Sequence, residues 1–192
     1  MEYWEICLYL RVSIYAAAGA GKTGAYDKIV SMRELKIVTE VKVYKYAELP
    51  DEYRKAVDEA KAAAMKAYAP YSGFHVGAAV LLDNGEAVSG NNQENAAYPS
   101  GLCAERVTMF YANAHYPEAA PVALAIASHT GGTFTDEPVT PCGACRQVLL
   151  ETEGRYGRDI RILLYGEKHI YMINSARELL PLSFAKESLL SR

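Results

Sequence analysis

Three cysteines and one glutamate have the types and spacing that could do chemistry. Cys103 is followed two positions later by Glu105, and Cys142 and Cys145 form a Cys-x-x-Cys pair further along the chain. Three thiolates are one ligand short of a closed structural zinc site. They match the count of a catalytic site, which keeps its fourth position for water. Glu105 is too near Cys103 in sequence to ligate comfortably beside it, yet it can reach such a water and take its proton. The minimal reading is attack by a metal-activated water, with Glu105 as the proton shuttle. Other readings stay open at this level. A Cys-x-x-Cys also serves as half of a structural zinc site or as a redox pair, and Cys7, His75, His115, His129 or His169 could complete a closed site.

These residues need elements to hold them. The pattern predicts a helix from Cys103 to about Ala114, with an apolar stripe at Val107, Phe110 and Tyr111. A second helix opens at Pro141 or Cys142 and runs through Glu151, with Cys145, Val148 and Leu149 facing in. Both thiol clusters then sit at helix N-termini, where unpaired N–H groups and the helix dipole favour thiolates. Residues three apart share a helical face, so two such helices packed side by side bring the sulfurs to one ion. Three thiolates on Zn²⁺ leave a net negative charge, which Arg106 and the helix N-termini offset.

The remaining elements frame that pair. Residues 36–46 read as an edge strand, and Pro50-Asp51 opens a helix running to about Ala69. Its many alanines, Ala56, Ala60, Ala64 and Ala67 among them, predict close packing on a sheet, and Pro70 ends it. His75 to Leu82 and Glu86 to Gly90 form a hairpin around the Asp83-Asn84-Gly85 turn. A polar loop from Asn91 to Pro99 follows. Val122 to Ala127, Ile160 to Tyr165 and Ile170 to Ile173 read as further strands, and Ala176 to Leu180 as a short helix. The order predicts an α/β fold, a three-layer α/β/α sandwich around a mixed sheet of about five strands. The hairpin is antiparallel; the strand–helix–strand units after it should cross over right-handed and run parallel.

Composition narrows the partners. The chain has 192 residues, 51% hydrophobic and 22% charged, with a net charge of −3, which suits a globular domain. No Lys/Arg run is present, so a small molecule is expected as partner and nucleic acid is not. No apolar run reaches the roughly 18 residues of a membrane span. Four cysteines with a Cys-x-x-Cys pair, and no basic-then-apolar leader ahead of them, predict a reducing, cytoplasmic setting. Residues 1–31 read as a poorly ordered extension to a single domain over 32–192. Within them, Ala16 to Thr23 imitates a phosphate-binding loop, but Ala16 stands where that loop needs Gly, and Gly24 and Asp27 follow where a helix should begin.

Five segments, in order, resemble the zinc nucleoside and nucleobase deaminases, and among them the small homotetrameric cytidine deaminases. They are Tyr68-Ala69-Pro70-Tyr71-Ser72-Gly73-Phe74-His75-Val76-Gly77-Ala78-Ala79; Gly90-Asn91-Asn92-Gln93-Glu94-Asn95-Ala96-Ala97-Tyr98-Pro99; Gly101-Leu102-Cys103-Ala104-Glu105-Arg106; Pro141-Cys142-Gly143-Ala144-Cys145-Arg146-Gln147; and Leu179-Leu180-Pro181-Leu182-Ser183-Phe184. The resemblance spans about residues 50–186, and the third and fourth segments carry the zinc signature. Asn91 and Gln93 depart from the usual pattern within the second segment.

The resemblance implies roles position by position. Cys103, Cys142 and Cys145 bind one Zn²⁺ per chain, and Glu105 carries the proton from water to the ring nitrogen and then to the departing ammonia. Phe74 packs on the pyrimidine, Asn92 and Glu94 bond the ribose hydroxyls, and the Ala104 backbone reads the base edge. Tyr98 and Phe184 reach a neighbouring subunit's site, so a homotetramer shares its active sites. The implied activity is hydrolytic deamination of cytidine and deoxycytidine to uridine and deoxyuridine, a step of pyrimidine salvage. A carboxylate in the sugar wall disfavours a nearby phosphate, which argues for free nucleosides over nucleotides. The alternatives are a deaminase of another cytosine-bearing substrate, such as a nucleoside antibiotic or RNA, and a zinc-stabilised binding module with four protein ligands.

Overall fold

A computed structural model of the chain describes residues 34–190. Cys7, the 1–31 extension and its phosphate-loop-like stretch lie outside the described residues. From Glu40 onward the chain forms one compact unit.

Among the described residues seven strands form one mixed sheet. They are β1 (Lys42–Tyr44), β2 (His75–Leu82), β3 (Ala87–Asn91), β4 (Pro121–Thr130), β5 (Thr133–Phe134), β6 (Arg161–Tyr165) and β7 (Ile170–Ile173). Their order is β1-β7-β6-β4-β2-β3, with β5 paired to β4. The sheet has more strands than the five or so expected, and the two-residue β5 is the strand with no counterpart among the expected segments. The strand expected over 36–46 shrinks to β1, paired antiparallel with β7. β5 is a two-residue return within the loop after β4.

The helices are α1 (Asp51–Ala64), α2 (Ala104–His115), α3 (Gly143–Tyr156) and α4 (Lys186–Leu190). β4 and β6, joined through α3, are parallel neighbours as expected. β3 and β4, joined through α2, are separated by β2, which runs antiparallel to both.

Strand alternation divides the core in two. Ala78, Val80, Leu124, Ile126, Ile162 and Leu164 pack with Met109, Ala112 and Leu149 of α2 and α3. The opposite face carries Ala79, Ala123, Ala125, Ala127 and Leu163, which meet Tyr53, Ala56, Val57 and Ala60 of α1. Period-two patterning sends successive side chains to opposite faces, so the alanine set and the large set separate cleanly. The approach of α1 is close: a Cβ at Gly77 would stand 2.0 Å from the Ala60 carbonyl oxygen.

Three sequence expectations fail locally. α3 runs on past Glu151 to Tyr156. α1 stops at Ala64 rather than Ala69, because the Asn91 side-chain amide takes the Ala63 carbonyl at 3.1 Å and Tyr68 pairs with the 92–94 backbone instead. The stripe of α2 is also turned. Its buried residues are Ala104, Glu105, Thr108, Met109 and Ala112, while Phe110 and Tyr111 are exposed and Val107 is only half-buried. The small Ala104 and Ala112 let α2 lie close to the sheet, and that leaves its aromatic residues outside.

Candidate active site

α2 and α3 present their N-termini to one another, and the three sulfurs meet there. Cys103 is the N-cap of α2 and Cys142 the N-cap of α3, both in extended backbone, and neither side chain caps its own helix. Cys145 lies one turn into α3 and is fully buried. The Sγ atoms of Cys103 and Cys142 are 3.7 Å apart, those of Cys142 and Cys145 3.4 Å, and all three fall within 4.8 Å of one another. A tetrahedral zinc with Zn–S bonds of about 2.3 Å needs sulfurs about 3.8 Å apart. The cluster fits one zinc ion, and no His, Asp or Glu among the described residues joins it as a fourth ligand.

The thiols do not share their protons evenly. Cys103 is pulled down to about 5, chiefly by the hydrogen bond from Cys145 and then by Arg106, whose Nη2 stands 3.8 Å from its sulfur. Cys145 is pushed up, because its proton is held by Cys103 and its site is buried. Three sulfurs this close cannot all ionise without a cation between them. The donor set therefore favours a divalent, thiophilic metal.

Glu105 sits in the first turn of α2 and is only 5% exposed. Burial raises its pKa, and the negative charge of Cys103 adds to that; the Cys145 thiol beside it pulls partway back. A carboxylate held this way is a stronger base than one in water, which suits it to accept a proton.

A cleft of about 310 Å³ opens at Cys103. Asn92, Glu94, Tyr98 and Arg106, all predicted from sequence, line it together with Tyr71, Gln93, Asn95, Gly101 and Leu102. Phe74, Ala104 and Phe184 are not among its lining residues. Phe74 is half-buried at the entry to β2, Ala104 is buried beneath Cys103, and Phe184 is exposed, its carbonyl accepting from Gln147 at 2.8 Å.

The polar loop before α2 turns out to be bonded to the segment before β2. Asn92 accepts from the Val76 amide at 2.8 Å through Oδ1 and donates to the Phe74 carbonyl at 2.9 Å through Nδ2. Glu94 Oε2 accepts from the amides of Tyr71 at 2.8 Å and Ser72 at 3.3 Å; the Ser72 hydroxyl first, and then these amides, hold its pKa below the usual carboxylate range. Tyr71 itself had no sequence signal beyond its place in the first of the five segments. Its ring meets Tyr98 edge-on, with centroids 6.3 Å apart. Arg146 works elsewhere: it donates to the Pro141 and Leu179 carbonyls at 2.8 and 2.7 Å and to Thr140 Oγ1 at 3.1 Å, which ties the loop before α3 to the turn at 176–179.

Known proteins resemble this chain. The cytidine deaminase of Sporosarcina psychrophila is 38% identical over 143 residues, covering 70% of this chain and 93% of that protein. That of Halalkalibacterium halodurans is 39% identical over 133 residues, covering 69% and 94%. The crystal structure of cytidine deaminase from Burkholderia pseudomallei superposes with a TM-score of 0.58 at 39% identity, covering 71% of this chain and 100% of that one. The Mycobacterium tuberculosis enzyme gives 0.55 at 32%, covering 70% and 98%. Residues 50–156 match the family model described as the cytidine and deoxycytidylate deaminase zinc-binding region, a span that holds all three cysteines and Glu105. With the sulfur cluster, the buried carboxylate and the fold in agreement, the chain belongs to the cytidine and deoxycytidylate deaminase family.

Proposed function

We propose that this protein is a zinc-dependent cytidine deaminase, which hydrolyses cytidine and deoxycytidine to uridine and deoxyuridine with release of ammonia. The observation that carries the reading is the buried Glu105 carboxylate beside a three-sulfur cluster sized for one zinc ion. When bound, zinc supplies Lewis acidity that makes a water nucleophilic near neutral pH. Glu105 takes the proton of that water and delivers it to the ring nitrogen beside the amino-bearing carbon. It then carries the second proton, from the oxygen now bonded to that carbon, to the amino group; the C–N bond breaks, the C=O bond forms and ammonia leaves. Arg106 offsets the negative charge of the thiolates, and the N-termini of α2 and α3 do the same.

The remaining assignments follow from the resemblance of the five segments, and Asn92 and Glu94 among them line the cleft. Asn92 and Glu94 bond the sugar hydroxyls, Phe74 packs on the pyrimidine and the Ala104 backbone meets the base edge. A carboxylate at the sugar wall repels a 5′-phosphate, which selects free nucleosides. Tyr98 is 78% exposed and Phe184 59%, and both suit contact with a second subunit's cleft in a homotetramer. The outward Phe110 and Tyr111 of α2 add apolar surface of the kind an assembly covers. None of the described helices is long and apolar enough to cross a membrane. A cytoplasmic role in pyrimidine salvage fits a site built from unoxidised thiols.

The test is loss of the cytosine ultraviolet absorbance with purified protein and cytidine, run beside Glu105→Ala with zinc quantified in both. Turnover by the parent alone, at one zinc per chain in each, is the expected result. A fully zinc-loaded parent that leaves cytidine and deoxycytidine unchanged would refute the reading.

A further inference from the structure

The two side chains read as the sugar wall spend much of their bonding capacity on the protein itself. Asn92 holds the Phe74 carbonyl and the Val76 amide, and Glu94 holds the amides of Tyr71 and Ser72. The backbone reinforces them: the Asn92 amide donates to the Val76 carbonyl at 3.0 Å, and the Tyr68 amide and carbonyl bond the Asn92 carbonyl and Glu94 amide at 3.1 and 2.9 Å. Between these anchors the 70–74 turn is largely exposed and passes through a positive φ of 64° at Gly73. Its cleft-facing residue is Tyr71.

We propose that Asn92 and Glu94 are positioning residues for the 71–76 segment, so that they shape the cleft wall whether or not a sugar hydroxyl is present. The proposal rests on the deaminase reading for its kinetic arm only. The amides of Tyr71 and Ser72 both go to Glu94 Oε2, so Oε1 takes neither of them, and Asn92 Nδ2 has a second hydrogen beyond the one given to Phe74. A residue that merely contacts the sugar loses its importance when the hydroxyls are removed. A residue that holds the wall does not.

The experiment compares Asn92→Ala and Glu94→Ala with the parent, as full-length zinc-loaded protein, on cytidine and on 2′,3′-dideoxycytidine, and follows amide hydrogen exchange. The expected result is a fall in kcat/KM of about 10- to 100-fold for both nucleosides. Exchange should speed at Val76 in Asn92→Ala and at Tyr71 and Ser72 in Glu94→Ala, while Ala79 and Val80 within the sheet stay protected. A penalty confined to cytidine, or unchanged exchange at all three amides, would overturn the proposal. If Asn92→Ala does not accumulate as folded protein, Glu94→Ala decides alone. If the parent deaminates neither nucleoside, the functional reading falls, and the exchange measurement still decides the clamp.

Discussion

Arg106 Nη2 stands 3.8 Å from Cys103 Sγ, one helical turn along α2, and puts a cation beside the sulfur cluster. Its Nε is buried without a hydrogen-bond partner, so the guanidinium is held there at some cost. In metal-free protein Cys103, held down to about 5, is a thiolate at neutral pH, while Cys145 keeps its proton. Iodoacetamide should therefore modify Cys103 before Cys145, with a rate that falls only as pH drops through about 5. Arg106→Ala should move that midpoint upward and weaken zinc binding by about 10- to 100-fold. Peptide mapping across pH and competition with a zinc chelator read the two effects.

Glu105 should separate activity from stability. Glu105→Gln should lower kcat by about 10²- to 10⁴-fold with zinc retained, because the shuttle is gone and the ligands are not. Burial raises the Glu105 pKa, so the folded metal-free protein holds that proton more tightly than the unfolded chain does. Its ionised form costs stability at neutral pH, and the cost disappears as pH falls through the raised value. The metal-free Glu105→Gln protein should melt at or above the temperature of the metal-free parent at pH 7. A marked drop in melting temperature would contradict that sign.

Glu153 carries a structural load. Its carboxylate, at the C-terminal end of α3, accepts from the Ile160 and Ala176 amides at 2.8 and 2.7 Å, from Ser175 Oγ at 3.0 Å and from the Arg177 amide at 3.3 Å. It thereby fixes the far end of the helix that carries Cys142 and Cys145 to the start of β6 and to the 176–179 turn. Glu153→Ala leaves buried donors unpaired and should cost about 2–5 kcal/mol in urea unfolding. Glu153→Gln, which keeps one acceptor oxygen, should cost less.

Gly77→Ala should be the most damaging conservative change in the sheet. The added methyl would meet the Ala60 carbonyl oxygen at 2.0 Å and the Ala64 nitrogen at 2.3 Å, both backbone atoms with no rotamer to yield. Overpacking of this kind costs about 1–3 kcal/mol where side chains can shift, and more where they cannot. Denaturation midpoints should show a loss above that range, or the protein should fail to accumulate.

Local signals made most of this readable. The Cys103, Glu105 and Cys-x-x-Cys spacings name the cluster because a helix start fixes where near neighbours point. The hairpin at Asp83-Asn84-Gly85 and the alanines of α1 are local too. What escaped depends on distant partners. The residues after Ala64 have helical composition, yet Asn91 and the 92–94 backbone claim them. Phe110 and Tyr111 follow helical periodicity but face outward, because Ala104 and Met109 take the sheet side. Glu153 lies in the polar run Glu151-Thr152-Glu153-Gly154-Arg155 and reads as surface; only the return of the chain at Ser175 buries it. Tyr71 enters the cleft because Glu94 bonds its amide across 23 residues of sequence.

The two faces of the sheet differ in one more respect. The α1 face is joined largely through alanines, Ala56 and Ala60 against Ala79, Ala123, Ala125 and Ala127. Alanine has no rotamers to freeze, so this contact forms with almost no side-chain entropy penalty and offers almost no alternative packing once formed. The other face meets α2 and α3 through Leu, Ile, Val and Met, which can rearrange. Thermal breathing should therefore be uneven. The α1 layer moves with the sheet as one slab, and whatever compliance the domain has collects under the two helices that hold the sulfurs.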